Sequence, residues 1–564
     1  MTPAARLKTS TLLEALQHRL DHDPDGTAAV FVWPDRDDER WTFRRMLGLA
    51  WGFAERITHA TTDDEQADEP RLTAICLGHS PELHAAFLGA LLAGRVPTMV
   101  APPSPRMERR KYTDAFARML DHVRPSEVIT SSSVLASLEE LTPEALAGHR
   151  LLAAETISPS PARGIPVVSA DDVALVQHSS GTTGLQKGVA ITHRALFAQL
   201  RSYADTLSLT NEDVIVSWLP LYHDMGFVAC FLLPLVTGVP VVELSPFDWV
   251  ARPQTLLTAI ERHRGTLAWL PNFAFSFLGS VRTSDGEGAP DLSSVRAFVN
   301  CSEPVMAASH RAFAKRWPDV RPSQLTTCYA MAENVFAVTQ SPVGEAPRVA
   351  QLSRRALEVE RRAAAVVGDE PAVELTSNGR PIAGVSVAIL DADGASLPEG
   401  RVGEIGVKGT SLFEGYFHRP DLTAAAFVDG WYRTGDLGFI VDGELYVTGR
   451  KKDLVILAGR NFHPGDIEAE VSTIEGVLPG RVAAFGDSDE ASGTELLVIV
   501  AESELEDRAV KAKLELEIRK RVAQTFDCTV ARTAIVPPRW LVKSTSGKVA
   551  RADTRAKYRE LVKP

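Results

Sequence analysis

VALVQHSSGTTGLQKG, residues 173–188, passes from an apolar run into ten positions holding three glycines and four hydroxyl side chains. The apolar run reads as a strand buried on both faces, and the ten positions after it read as a loop able to wrap a polyphosphate. Gly181 and Gly184 let backbone N–H groups turn inward, while Ser179, Ser180, Thr182 and Thr183 offer hydroxyl donors and Lys187 a positive charge. Standing alone, such a string is commonly a solvated turn. The Walker spacing GxxxxGK[ST] is not met here.

Outward from this segment, short apolar runs alternate with helical patterns up to about residue 340. AAVFVW (28–33), LTAICLG (72–78), VPVVEL (239–244) and VRAFVN (295–300) are such runs, and PELHAAFLGALLAG (81–94) is a helical one. Uniformly apolar strands separated by helices imply doubly wound parallel sheets, an α/β class. After about residue 375 the texture turns glycine-spaced, as in VSVAILDADGASLPEGRVGEIGVKG, which predicts antiparallel sheet or a barrel-like subdomain over about 375–450. Beyond GRKKD (449–453) lies an independent α+β pattern: strand VAAFG, strand ELLVIVAES, helix RAVKAKLELEIRKRVAQTF, strand TAIVPP. The expected division is 1–450 and 451–564, with the charged GRKKD run as the hinge.

At 564 residues the chain suggests several folding units, given about 150 residues per domain. Hydrophobic residues make up 45% and charged residues 23%, enough for a large core, and a net charge of -12 argues against nucleic acid as a partner. Five cysteines, widely spaced and without CxxC, predict neither a disulfide framework nor a zinc site and fit a reducing cytoplasm. The uncharged stretch 225–242 approaches the ~20 residues of a membrane span. Pro234, Gly238 and Pro240 interrupt it, so a buried helix followed by a buried strand is expected, with no span. The first residues lack the apolar core of a signal peptide.

Five further segments come after the loop in order: WLPLYHDMGF (218–227), NCSEP (300–304), YAMAEN (329–334), YRTGDLG (432–438) and STSGKVAR (544–551). Together with the loop they resemble the adenylate-forming superfamily of acyl-CoA synthetases, peptide-synthetase adenylation domains and luciferases. That resemblance implies a large N-terminal domain and a smaller mobile C-terminal one. It also implies ATP and Mg²⁺ as cofactors. His223 would sit near the acyl carboxylate, and Cys301, Ser302 and Glu303 would form the adenine turn, with Tyr329 and Ala330 against the ring. Glu333 would hold Mg²⁺, a hard cation that prefers oxygen ligands. Asp436 would accept from both ribose hydroxyls, with Arg450 on the same side. Lys452 would be the hinge. Lys548 would stabilise the charge that develops as the acid attacks the α-phosphate. The sequence departs from the family at Gln186, Cys301, Ser302 and Ala330, where proline or smaller residues are usual.

Within the superfamily, LPLYHDMG, SPFDWVARP (245–253), LPNFAF (270–275) and GRNFHPGDIE (459–468) resemble the fatty-acyl-AMP ligase and acyl-CoA synthetase branch. Trp269, Asn272 and Phe273 are then expected at the acyl pocket. The segment 347–373 resembles the insertion that restrains the C-terminal domain in fatty-acyl-AMP ligases. The resemblance implies a ligase that makes acyl-AMP from a carboxylic acid and passes the acyl group to CoA. The alternatives are loading of an acyl carrier protein through its phosphopantetheine, or mainly the thioester half-reaction from supplied acyl-AMP. A reading of another class is a nucleotide-binding protein without catalysis, against which the presence of Lys548 argues.

Overall fold

A computed structural model describes residues 7–58, 71–102, 109–141, 143–178, 187–281, 288–457, 460–489, 494–526, 528–544 and 548–562. Two sheets of mainly parallel strands form the large N-terminal part. In the nine-stranded sheet, Leu325–Ala330, Ala297–Asn300, Leu267–Leu270, Ile215–Ser217, Val241–Leu244 and Thr27–Val32 run side by side in parallel. In the seven-stranded sheet, Val173–His178, Val96–Met99, Leu72–Cys76, Glu127–Thr130 and Arg150–Ala153 do the same. The helix Pro81–Leu92 is buried along its whole length. It lies against strands of the second sheet and reaches Glu243 of the first through His84. It also packs on the helix Phe43–Thr58 at Gly89, where a β-carbon would stand 2.4 Å from that of Phe53. A uniformly apolar helix between two apolar sheets is what the continuous strand patterns require.

After Val173–His178 the chain returns as the antiparallel neighbour Gly188–Thr192, so the glycine-rich segment joins the two arms of a hairpin. Residues 179–186 of that segment, including Ser179, Ser180, Gly181, Thr182, Thr183 and Gly184, lie outside the described residues.

The stretch after Met225 is helical and then extended, as its prolines predict, but its first part is wound more widely than an α-helix. Met225–Leu232 is a π-helix, and Leu233–Thr237 continues as an α-turn ending at left-handed Gly238. Pro234 has no N–H to give the carbonyl four residues earlier, and the Leu233 N–H reaches Val228 instead. Among the described residues no helix is long and apolar enough to cross a membrane.

Val385–Leu390, Gly403–Gly409, Trp431–Val441, Phe427–Val428 and Glu444–Arg450 form one five-stranded antiparallel sheet. This is the antiparallel sheet expected over 375–450. The hairpin Val349–Ser353 with Ala372–Thr376 stands apart as a two-stranded unit and encloses the short helix Arg354–Glu358.

The large core draws on residues as far as Leu445, and a separate apolar cluster begins at Val455. That second cluster lies under Val482–Asp489, Thr494–Glu502 and Val530–Val536, with the helices Pro464–Val471 and Arg508–Phe526. The C-terminal α+β pattern read from the sequence is present element by element, and the chain has a large N-terminal part and a smaller C-terminal one.

Candidate active site

Four of the motifs leave the carboxyl ends of adjacent parallel strands. WLPLYHDMG follows Ile215–Ser217, PNF follows Leu267–Leu270, CSEP follows Ala297–Asn300, and MAEN follows Leu325–Ala330. In open α/β sheets this edge is where ligands bind, because loops there converge while the strands hold them in place.

The loops are tied to one another. Glu303 accepts a hydrogen bond from the Phe273 amide at 2.9 Å, and the Asn272 side chain accepts from the Met306 amide at 3.0 Å and from Asn300 at 3.1 Å. Ser302 takes φ +72°, a left-handed conformation that suits glycine better. Its hydroxyl lies 3.7 Å from the Met225 sulfur. Cys301 is fully buried beside Cys328, whose thiol burial pushes far up. Thiols in such a setting are inert, and all five cysteines are free.

Tyr329 and Arg450 converge on Asp436. The Tyr329 hydroxyl donates to one carboxylate oxygen at 2.6 Å, and the Arg450 Nε stands 3.2 Å from the other. Asp436 and Arg450 are direct partners across two antiparallel strands, so their pairing is set by register. Left-handed Gly435 turns the strand just before Asp436, and its N–H donates to Glu404 at 3.2 Å. Glu404 also receives Lys451 at 3.1 Å. Burial alone would raise the Glu404 carboxyl, but Arg433 and Lys451 outweigh it and hold it below its ordinary value.

Glu333 lies in a tight turn that ends at Val335, whose φ of +62° is a strained conformation for a β-branched residue. Its carboxylate accepts from the Tyr416 hydroxyl at 2.8 Å, and the Lys187 ammonium sits 4.3 Å over the Tyr416 ring. Tyr416 thus links the end of the glycine-rich hairpin to Glu333. Sequence reasoning missed this residue, because its place depends on pairing with Val189 far upstream.

His223 and Asp224 form a pair at 2.7 Å. Burial would raise the Asp224 carboxyl; His223, and then Lys548, overcome this and keep it below the usual carboxylate value. Lys548 therefore stands at the N-terminal loops although it belongs to the last segment of the chain. Burial lowers the Lys548 ammonium below its ordinary value, while the carboxylates of Glu303 and Asp224 favour the charged form. Arg450, across the same space, opposes it. The backbone around Lys548 is closed by its carbonyl accepting from the Ser544 amide at 2.7 Å.

Lys452, between Arg450 and Asp453, is lowered by burial and by Arg450. Arg551, just after the Lys548 loop, binds Glu468 at 2.6 Å and Asp453 at 3.0 Å, joining the loop to the GRKKD run. Ala330 ends its strand beside Tyr329. Trp269 does not join the others: its ring lies in the core and donates to the Tyr203 hydroxyl at 2.7 Å. Neighbouring side chains on a strand point to opposite faces, and this one faces the helix His193–Thr206. Phe273 packs edge-on against Trp218 and Trp249, which stack at 3.6 Å.

The AMP-binding enzyme family matches residues 16–417, and the chain belongs to that family. It is 31% identical to a putative fatty-acid–CoA ligase, FadD21 of Mycobacterium leprae (strain TN), over 98% of each chain. It is 29% identical to JamA of Moorena producens (strain JHB), a medium-chain-fatty-acid–[acyl-carrier-protein] ligase, over 98% of this chain and 95% of that one. A solved structure from work on the fatty acyl-adenylate ligases of E. coli and L. pneumophila superposes with a TM-score of 0.89 at 27% identity, covering 98% of both chains.

Proposed function

We propose that this protein is an acyl-activating ligase that joins a carboxylic acid to AMP and then passes the acyl group to a pantetheine thiol. The observation that carries the reading is that the charges of Glu303, Asp224 and Arg450 all act on Lys548, and that Arg450 is itself paired with Asp436.

In the first half-reaction an oxygen of the acid attacks the α-phosphorus of ATP, and the bond to pyrophosphate breaks. Asp436 accepts from the ribose hydroxyls, and Arg450 and Tyr329 hold that carboxylate in place. The turn of Cys301, Ser302 and Glu303 takes the adenine, with Tyr329 and Ala330 beside it. Lys187 and the hairpin loop, with Ser179, Ser180, Gly181, Thr182, Thr183 and Gly184, neutralise the polyphosphate. Lys548 brings an ammonium to the two anionic reactants as they meet, where preorganised charge lowers the barrier most. His223 orients the acyl carboxylate, and Asn272 and Phe273 line the acyl side.

Mg²⁺ fits Glu333, a half-buried lone carboxylate of the hard-oxygen type it prefers, shared with substrate phosphates. Among the described residues no group of three His, Cys, Asp or Glu is arranged to hold a metal unaided. When bound, Mg²⁺ would supply charge neutralisation on the leaving pyrophosphate.

In the second half-reaction a thiol attacks the acyl carbon and AMP leaves. Rotation about Lys452 withdraws Lys548 and admits the thiol, with 1–450 and 451–564 as the moving bodies. CoA is the first acceptor to test. A carrier protein is the second, supported by Arg354 of the 347–373 segment, whose guanidinium lies 4.4 Å over Phe526 in the C-terminal part. That contact is suited to limiting rotation. ATP–pyrophosphate exchange with a panel of acids, followed by mass spectrometry of CoA and of a holo-carrier protein, tests the reading. Acid-dependent exchange and a thioester on one acceptor are expected, and absence of exchange with every acid would overturn it.

A further inference from the structure

Residues 411–417 form a strap between two parts of the site that lie far apart in sequence. On one side the Ser411 hydroxyl donates to the Asn334 side chain at 3.0 Å, and the Phe413 amide donates to the Glu333 carbonyl at 2.8 Å. The Tyr416 hydroxyl donates to Glu333 Oε1, also at 2.8 Å. On the other side the Glu414 amide donates to the Ala190 carbonyl at 2.9 Å and the Phe417 amide to the Gly188 carbonyl at 2.8 Å, with Tyr416 opposite Val189. Gly188 begins the return arm of the glycine-rich hairpin. The Glu333 turn and the hairpin therefore cannot shift against each other without breaking bonds to the strap.

Tyr416 stands at the centre of this arrangement. It is 5% exposed and Tyr432 is 4% exposed, and both pack on Phe413, with ring centroids 4.9 and 5.4 Å away. The two tyrosine hydroxyls are 3.2 Å apart. A carboxylate can only accept, so the single Tyr416 proton goes to Glu333 and the Tyr432 hydroxyl donates to the Tyr416 oxygen. The donors run one way, from Tyr432 to Tyr416 to Glu333, and each bond strengthens the next. Because the chain ends on Oε1, the other carboxylate oxygen is the one left for a cation. The ring of Tyr416 has a separate contact: the Lys187 ammonium lies 4.3 Å from its centroid. A ring attracts an ammonium without neutralising it, so the charge stays available to a phosphate. Val335, two residues after Glu333, holds φ at +62°. Such strain survives only where the surroundings impose it, and it gathers at functional sites.

We propose that Tyr416 is the positioning residue of the polyphosphate site: its hydroxyl aims Glu333 at Mg²⁺, and its ring holds Lys187 ready for the phosphates. The proposal rests on the ligase reading and adds a residue that none of the steps above uses. A carboxylate that holds a metal is commonly oriented by a hydrogen bond of its own, and losing that bond costs roughly ten- to hundredfold in metal affinity. Substrate phosphates share this ion, so the lower end of that range applies.

The test is calorimetric binding of ATP, with Mg²⁺ and with EDTA in its place. Tyr416→Phe keeps the ring and removes only the hydroxyl. Its Kd for ATP should rise about tenfold with Mg²⁺ and stay within about twofold of the wild type without it. Tyr416→Leu removes the ring as well, and should also weaken metal-free binding, by about fivefold for one lost cation–π contact. Tyr432→Phe acts on Glu333 through Tyr416 and should show the Mg²⁺-dependent loss alone, at about threefold. Equal weakening of Tyr416→Phe with and without Mg²⁺ marks a merely structural role and overturns the proposal, as does no weakening at all. If Tyr416→Phe does not fold, Tyr432→Phe decides, and binding that loses nothing specific to Mg²⁺ overturns it. A wild type that binds no ATP under either condition defeats the ligase reading itself, and the role of Tyr416 falls with it.

Discussion

Asp436 and Arg450 face each other across two hydrogen-bonded strands of one sheet, whereas Lys548 reaches the same space on a loop of the C-terminal part. The first group is fixed by register in a sheet whose Ile405, Tyr432 and Leu445 belong to the large N-terminal core. The second is carried by a separate apolar cluster and anchored by the ionic contacts of Arg551 with Glu468 and Asp453. Parts of a site on continuous strands cannot leave it without unfolding. A part on a second, separately packed unit can be withdrawn. That difference suits the two successive reactions proposed for this place, in which the first would use the lysine and the second the room it occupies.

The comparison can be broken at either side. Lys548→Ala should lower acid-dependent pyrophosphate exchange by roughly 100- to 1000-fold, the scale seen when one preorganised charge-stabilising donor is lost. Exchange within a few-fold of the wild type would remove Lys548 from the chemistry. Asp436→Ala strips the ribose partner and leaves Arg450 and Tyr329 without their shared acceptor. The KM for ATP in exchange and the KM for acyl-AMP in thiol transfer should each rise roughly ten- to hundredfold. An effect confined to one half-reaction would contradict a fixed nucleotide side.

The pH dependence sharpens the same contrast. Burial lowers Lys548, so its ammonium is lost at a lower pH than an ordinary lysine's. Exchange should therefore be full below that point and fall as pH rises through it, by about tenfold per unit once past it. The residual activity of Lys548→Ala should lack this limb. Smallest is Arg354→Ala, which deletes the contact with Phe526, a cation–π interaction worth about 1 kcal/mol. The ratio of transfer to exchange should shift by roughly fivefold toward transfer, most of all with CoA as acceptor. An unchanged ratio would show that the 347–373 segment does not restrain the C-terminal part.

Strands and motifs were legible because both depend on local pattern. VALVQH, VRAFVN and VPVVEL are strands since largely apolar runs cannot face water, and several motifs could be placed because they follow such a run. The features that stayed hidden depend on pairing between distant segments. Tyr416 carries no motif and meets Glu333 only because its strand pairs with Val189. Trp269 looked like a pocket residue from its neighbours in sequence, but its strand face turns it to Tyr203. The widened turn after Met225 follows from Pro234, yet whether a helix answers a proline by kinking or by rewinding is decided by the packing around it.

The most direct test of the fixed and withdrawable halves is single-turnover transfer from preformed acyl-AMP to the thiol in Lys548→Ala. The account predicts a rate within about twofold of the wild type, because an interaction made only in the first transition state is absent from the second. A transfer rate that falls in step with pyrophosphate exchange would contradict it.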